Sequence, residues 1–140
     1  MAHGARLTSV VVFVRDLDRS VGFYRELLAL ETADRSPTAA LLASPDGSHL
    51  ILRAMGHGAA HALGSTGVQY VVWAVGSRED LARCEQVLKA HSAYSSTRSV
   101  RGVTAVEGRD PDGIAVVVCH PGPDQIPRGE LHLWARVYAW

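Results

Sequence analysis

Ser44-Pro45-Asp46-Gly47 is followed by the apolar run His49-Leu50-Ile51-Leu52, and Asp110-Pro111-Asp112-Gly113 by Ile114-Ala115-Val116-Val117-Val118. The two Pro-Asp-Gly turns lie 66 residues apart. Upstream of each, a β-branched run ends at a helix cap: Val10 to Val14 before Asp16, and Tyr70 to Val75 before Ser77, with the caps 61 residues apart. One supersecondary unit is therefore written twice, and a protein of this kind places its site on the axis between the copies.

Working outward, each half reads βαβββ. Val10–Val14 is continuous and β-branched, which predicts a strand buried on both faces. Asp16 or Asp18 can cap the helix that carries Val21, Tyr24, Leu27 and Leu28 at helical spacing. Residues 29–35 are ambiguous, with a short strand as one reading. Ala39–Ala43, the first turn and His49–Arg53 give a hairpin signal. In the second half Val68–Val75 reads as a strand, and Ser77 with Asp80 resembles a capping box. Leu81, Cys84, Val87 and Leu88 supply the helix stripe, Ser95–Val100 is a candidate edge strand, and Val103–Glu107 and Ile114–His120 flank the second turn. Met55–Gly67, rich in Gly, Ala and His, is a candidate flap. Pro121-Gly122-Pro123, Pro127 and Gly129 have a linker composition, and the chain ends in an aromatic tail, Leu131 to Trp140. The organisation expected is a single domain over 1–140, with modules at 7–55 and 68–120 and an extension at 121–140.

The 140 residues suffice for a real core. A hydrophobic fraction of 47% with 20% charged residues is that of a soluble globular protein. Net charge is zero and no Lys/Arg block occurs, so neither nucleic acid nor a membrane surface is expected as a partner. No apolar run approaches the roughly 20 residues of a membrane span. No signal-peptide pattern is read at residues 1–15, and Cys84 and Cys119 read as buried free thiols, so a cytoplasmic location is expected. The Ala-, Val- and Arg-rich composition suits a bacterial source.

Asp16-Leu17-Asp18-Arg19-Ser20-Val21-Gly22-Phe23-Tyr24-Arg25-Glu26-Leu27-Leu28 resembles the first helix of the vicinal oxygen chelate superfamily, which includes glyoxalase I, extradiol dioxygenases and bleomycin- and fosfomycin-resistance proteins. Asp110-Pro111-Asp112-Gly113 is similar to its other hallmark, and the resemblance covers about residues 7–120. It implies an α+β fold of two βαβββ modules whose curled mixed sheets surround a shared cavity. In metal-dependent members His, Glu or Gln from the first and last strand of each module bind one divalent ion. Those positions fall on Ser9, Ile51, Tyr70 and Val117. The internal repeat agrees, since an offset of 61 carries Ser9 onto Tyr70 and one of 66 carries Ile51 onto Val117. None of the four is an ordinary ligand, so no metal and no cofactor is expected.

Strand alternation adds residues of the same parity to the expected cavity: Val11, Phe13, His49, Arg53, Val72, Ala74, Ala115 and Cys119. The opposite parity, including Val14, Leu50, Leu52, Trp73, Val116 and Val118, should pack beneath the helices. The expected ligand-binding set is thus Ser9, Val11, Phe13, His49, Ile51, Arg53, Tyr70, Val72, Val117 and Cys119, an apolar bowl with few polar groups. Each has a structural reading as well: Ser9 as a small filler, Tyr70 as a core tyrosine, His49 and Arg53 as solvated surface groups, and Cys119 as inert. Three functions compete. The first is metal-independent binding of a bulky, partly aromatic small molecule. The second is a lyase, isomerase or cyclase using Tyr70 or His49 as acid/base, with Arg53 steering an enolate or carboxylate. The third is a metal enzyme that recruits His49 with His57 or His61. A homodimer is expected, with Leu131–Trp140 near its interface.

Overall fold

The computed structural model describes residues 4–56, 58, 68, 70–100, 102–122 and 125. The chain divides into two compact units, residues 1–61 and 62–140, each with its own four-stranded sheet. The first contains β1 (Ser9–Val14), α1 (Leu17–Leu28), β2 (Glu31–Arg35), β3 (Ala39–Ala43) and β4 (His49–Ala54). The second contains β5 (Val71–Ala74), α2 (Arg78–Ala90), β6 (Tyr94–Val100), β7 (Val103–Arg109) and β8 (Ala115–His120). The two βαβββ modules of the sequence reading are therefore present.

The strand orders are β1-β4-β3-β2 and β5-β8-β7-β6, so the first strand of each unit pairs in parallel with the last. The duplication extends to register. Val10 faces Leu50 in one unit and Val71 faces Val116 in the other. Leu41 faces Ile51, and Glu107 faces Val117. The same irregularity also recurs between Thr32 and Asp34 and between Tyr94 and Ser96.

Local chemistry explains the element ends. Asp16, not Asp18, caps α1: its Oδ1 accepts from the Arg19 N–H at 3.2 Å, satisfying one orphan donor of the first turn. Asp18 pairs instead with Arg35 of β2. Ser77 Oγ accepts from the Asp80 N–H at 3.1 Å, while the Asp80 carboxylate accepts from Arg83 Nε at 2.6 Å. In the two turns Gly47 and Gly113 adopt φ of 89° and 84°, which a Cβ would strain. Their carboxylates work differently. In the first, Asp46 accepts from the Ser48 hydroxyl and N–H and from the Ser44 hydroxyl, and these bonds hold its pKa down at about 2. In the second, Asp110 at the opening position accepts from the Asp112 and Ile114 N–H groups.

Each helix packs on one face of its sheet. Leu17, Val21, Phe23, Tyr24 and Leu27 of α1 are buried, with Val14, Ala40, Leu42, Leu50 and Leu52 beneath. Leu81, Cys84 and Leu88 of α2 are buried, with Val106, Val116 and Val118 in the second sheet. Full burial of a Leu or Val side chain contributes roughly 1.5–3 kcal/mol.

Two sequence expectations are corrected. β1 is not buried on both faces. It is an edge strand, and Val11 and Phe13 are 56% and 55% exposed. The strand enclosed on both faces is β8, flanked by β5 and β7. The expected Val68–Val75 strand is shorter, Val71–Ala74, and Val68 lies outside it, 84% exposed. Met55–Gly67 and the tail Leu131–Trp140 fall largely or wholly outside the described residues.

Two glycines report opposite constraints. A Cβ at Gly108 in β7 would stand 2.6 Å from the Ala93 carbonyl oxygen and 2.6 Å from Leu88 Cδ2. That oxygen accepts from the Arg109 N–H at 2.8 Å and cannot retreat freely. Gly22 in α1 has open space around its Cβ position. Gly108→Ala should destabilise the protein by about 1–3 kcal/mol, and Gly22→Ala should stabilise it by about 0.5–1 kcal/mol. Denaturant melts of the two variants check both signs.

Candidate functional site

In the first unit the parallel pairing of β1 with β4 fixes which side chains are neighbours. Ser9 faces His49, Val11 faces Ile51 and Phe13 faces Arg53. Alternation then sends these six to the face opposite α1, because Val14, Leu50 and Leu52 are buried on the helix side. Leu41 extends the row beside Ile51. The result is an apolar surface of Val11, Phe13, Leu41 and Ile51 with Ser9, His49 and Arg53 around it. Arg53 lies over the Phe13 ring, its guanidinium carbon 6.0 Å from the centroid. This is cation–π range, and the contact holds a positive charge beside an exposed aromatic face.

In the second unit Val72 faces Val117 and Ala74 faces Cys119. Ala105, Val117 and Cys119 form a buried cluster, with Tyr70, Val72 and Val103 packed against it. Val117 and Cys119 retain 1% and 0% of their surface, so they support this face from within. Tyr70, just before β5, is half-buried. Burial raises its phenol pKa above the usual value, and the charge of Glu107 raises it further.

Glu107 was not singled out from the sequence. It sits directly opposite Val117 on β7, half-buried, with Arg109 Nη2 3.9 Å from its carboxylate. The signal was available: a hairpin closing at Arg109 and Ala115 puts Glu107 across from Val117. His57 and His61 lie outside the described residues.

Of the four positions that the sequence resemblance assigns to ligands in metal-dependent relatives, Ile51 and Val117 offer no donor atom, and Ser9 and Tyr70 offer neutral oxygens. That donor set does not fit a resident divalent ion. Among the described residues no group of three or more His, Cys, Asp or Glu side chains is arranged to hold a metal ion. Among them, too, no helix is long and apolar enough to cross a membrane.

A chain of two βαβββ modules with this register has known counterparts. It belongs to the Glyoxalase/Bleomycin resistance protein/Dioxygenase superfamily, whose family model matches residues 6–118. Among solved structures it is similar to a glyoxylase/bleomycin resistance protein/dioxygenase domain from Frankia sp. EAN1pec, with 26% identity and a TM-score of 0.72 over 84% of this chain and 98% of that one. It is also similar to a glyoxalase/dioxygenase from Nostoc punctiforme, with 18% identity and a TM-score of 0.66 over 81% and 89%. A lactoylglutathione lyase from Agrobacterium tumefaciens shares 18% identity, with a TM-score of 0.64 over 83% and 93%. At 18% identity the likeness is one of fold. No curated protein matches the chain significantly in sequence.

The cysteines do not contribute reactive groups. Burial pushes the Cys84 thiol up to about 11, and Cys119 Sγ lies 3.4 Å from the Trp73 carbonyl oxygen as a donor. A thiol reagent such as Ellman's should therefore label neither in the native protein and both after denaturation. Stoichiometric labelling of native protein within minutes would contradict this burial.

Proposed function

We propose that this protein binds a bulky, partly aromatic small molecule without a metal ion, and that the residues it uses lie, in each unit, on the sheet face turned away from the helix. The observation that carries the reading is the character of those faces. At the positions that the sequence resemblance assigns to metal ligands this chain has Ser9, Ile51, Tyr70 and Val117. Around them stand apolar groups, two of which, Val11 and Phe13, are more than half exposed. An apolar surface with few polar groups suits a flat organic ligand. In this proposal Val11, Phe13, Ile51 and Val72 supply contact area, and Val117 and Cys119 support it from beneath. Ser9, His49, Arg53 and Tyr70 are the polar contacts.

A second reading, a tailoring enzyme, is favoured by one observation, the perturbed Tyr70. Burial and Glu107 both disfavour its phenolate, so Tyr70 would act there as an acid and not as a base. Binding also has a quaternary side. Leu7, Met55 and Val68 are exposed as well, and β1 and β5 lie at sheet edges, so the proposal includes a homodimer that covers apolar surface outside the ligand contacts. A cytoplasmic location goes with it, in keeping with the two free thiols.

Elemental analysis and a thermal-shift screen of natural products test the central claim. The protein should purify without stoichiometric Zn, Ni, Fe or Mn and be stabilised by an aromatic ligand. Retained metal that is lost on mutating His49 would overturn it. Tyr70→Phe separates the two readings. A binding role predicts affinity weakened by about 0.5–1.5 kcal/mol, and an acid role predicts a rate loss of about 10²–10⁴-fold. Light scattering at micromolar concentration should give twice the monomer mass, and a monomer would remove the dimer from the proposal.

A further inference from the structure

Register arranges the face of the first sheet that turns away from α1 into three rows. Phe13, Arg53 and Ala39 form one, Val11, Ile51, Leu41 and Asp34 the next, and Ser9, His49, Ala43 and Glu31 the third. The face therefore carries charge of both signs, but the signs are separated. Both acids stand on β2, at one edge of the sheet. Arg53 stands on β4, in the row that holds no acid among the described residues. Asp34, the nearer acid by register, is two strands and one pleat away. Among the described residues no carboxylate pairs with Arg53. Its guanidinium lies over the Phe13 ring, 6.0 Å from the centroid, and that ring is more than half exposed. A ring face attracts the guanidinium through its charge and leaves the N–H donors at its rim for another partner.

We propose that Arg53 is a specificity-determining residue that selects the carboxylate of an aromatic acid, whose ring lies beside Phe13 along Val11 and Ile51. This rests on the small-molecule reading above and names the charge of the ligand and the end at which that charge sits. The planar fork of a guanidinium grips both oxygens of a carboxylate, and contact with Phe13 holds the fork at the sheet face. The row one pleat along, Val11 with Ile51 and Leu41, supplies apolar surface for the ring. The acids add direction. Asp34 and Glu31 repel a carboxylate from the β2 edge, so the acidic end points to Arg53 and the apolar body toward the middle of the sheet. A protonated amine beside Arg53 would meet like charge.

Three probes of similar shape test the assignment by calorimetry: 2-naphthoate, 2-acetylnaphthalene and 2-naphthylmethylammonium. The expected order of affinity is carboxylate, ketone, ammonium, with about five- to tenfold between the ends, because Arg53 is exposed and water weakens the pair. Arg53→Gln should level the series. Arg53→Lys should keep its order with a smaller spread, since an ammonium does not grip both oxygens. In the wild type, raising ionic strength should narrow the gap, a measurement that needs no variant to fold. Binding of the ammonium as tight as naphthoate, or a preference for naphthoate that survives Arg53→Gln, overturns the inference while the small-molecule reading stands. Binding of none of the three overturns both.

Discussion

Parallel pairing of the first and last strand within each unit is the constraint on which the rest depends. A parallel pair cannot be closed by a tight turn, so the intervening chain must cross over, and here it does so with a helix and a hairpin. The crossover helix lies on one face of the sheet. The register then decides everything about the other face. With Val11 opposite Ile51 and Val72 opposite Val117, alternate residues are divided cleanly between core and surface. A slip of one residue would turn Leu50 and Leu52 outward and Ile51 and Arg53 inward, so the hydrophobic content of both strands holds the register in place.

Much of this was legible in the sequence because its signals are local. The Pro-Asp-Gly turns, the caps at Asp16 and Ser77 and the stripe Leu81-Cys84-Leu88 each act over a few residues, and the structure has elements where they predict them. The position of β1 at a sheet edge was not legible. A β-branched run has the same composition whether one face or two are covered, and strand order is a long-range property. Glu107 escaped for a related reason. Parity along the first and last strands of each module does not by itself reach β7, whose facing residues depend on where the hairpin closes. Which residues Asp46 and Asp110 would bind was also hidden, since both turns share three residues and differ in which carboxylate closes them.

The two faces that the register exposes carry different groups. In the first unit Arg53 lies over Phe13. In the second Glu107 and Arg109 share one side of β7, and the charge of Glu107 acts on Tyr70. The Ser9 hydroxyl and the Tyr70 phenol occupy equivalent places with very different reach. The scaffold is repeated and the chemistry is not, as expected where a fold hosts function through a small number of grafted side chains.

The repeated register also gives this chain an internal standard of comparison. Leu27 and Leu88, 61 residues apart, are both fully buried, and Gly47 and Gly113 share one backbone conformation. Such positions stayed alike in the two copies because packing and dihedral angles allow few substitutes. Ser9 and Tyr70, Leu41 and Glu107, and Arg53 and Cys119 hold equivalent positions in the repeat yet have parted in size and charge. Descent from one ancestral half would make those pairs a record of which backbone positions were free to change once a second copy maintained the architecture. All three pairs fall on the face turned away from a helix.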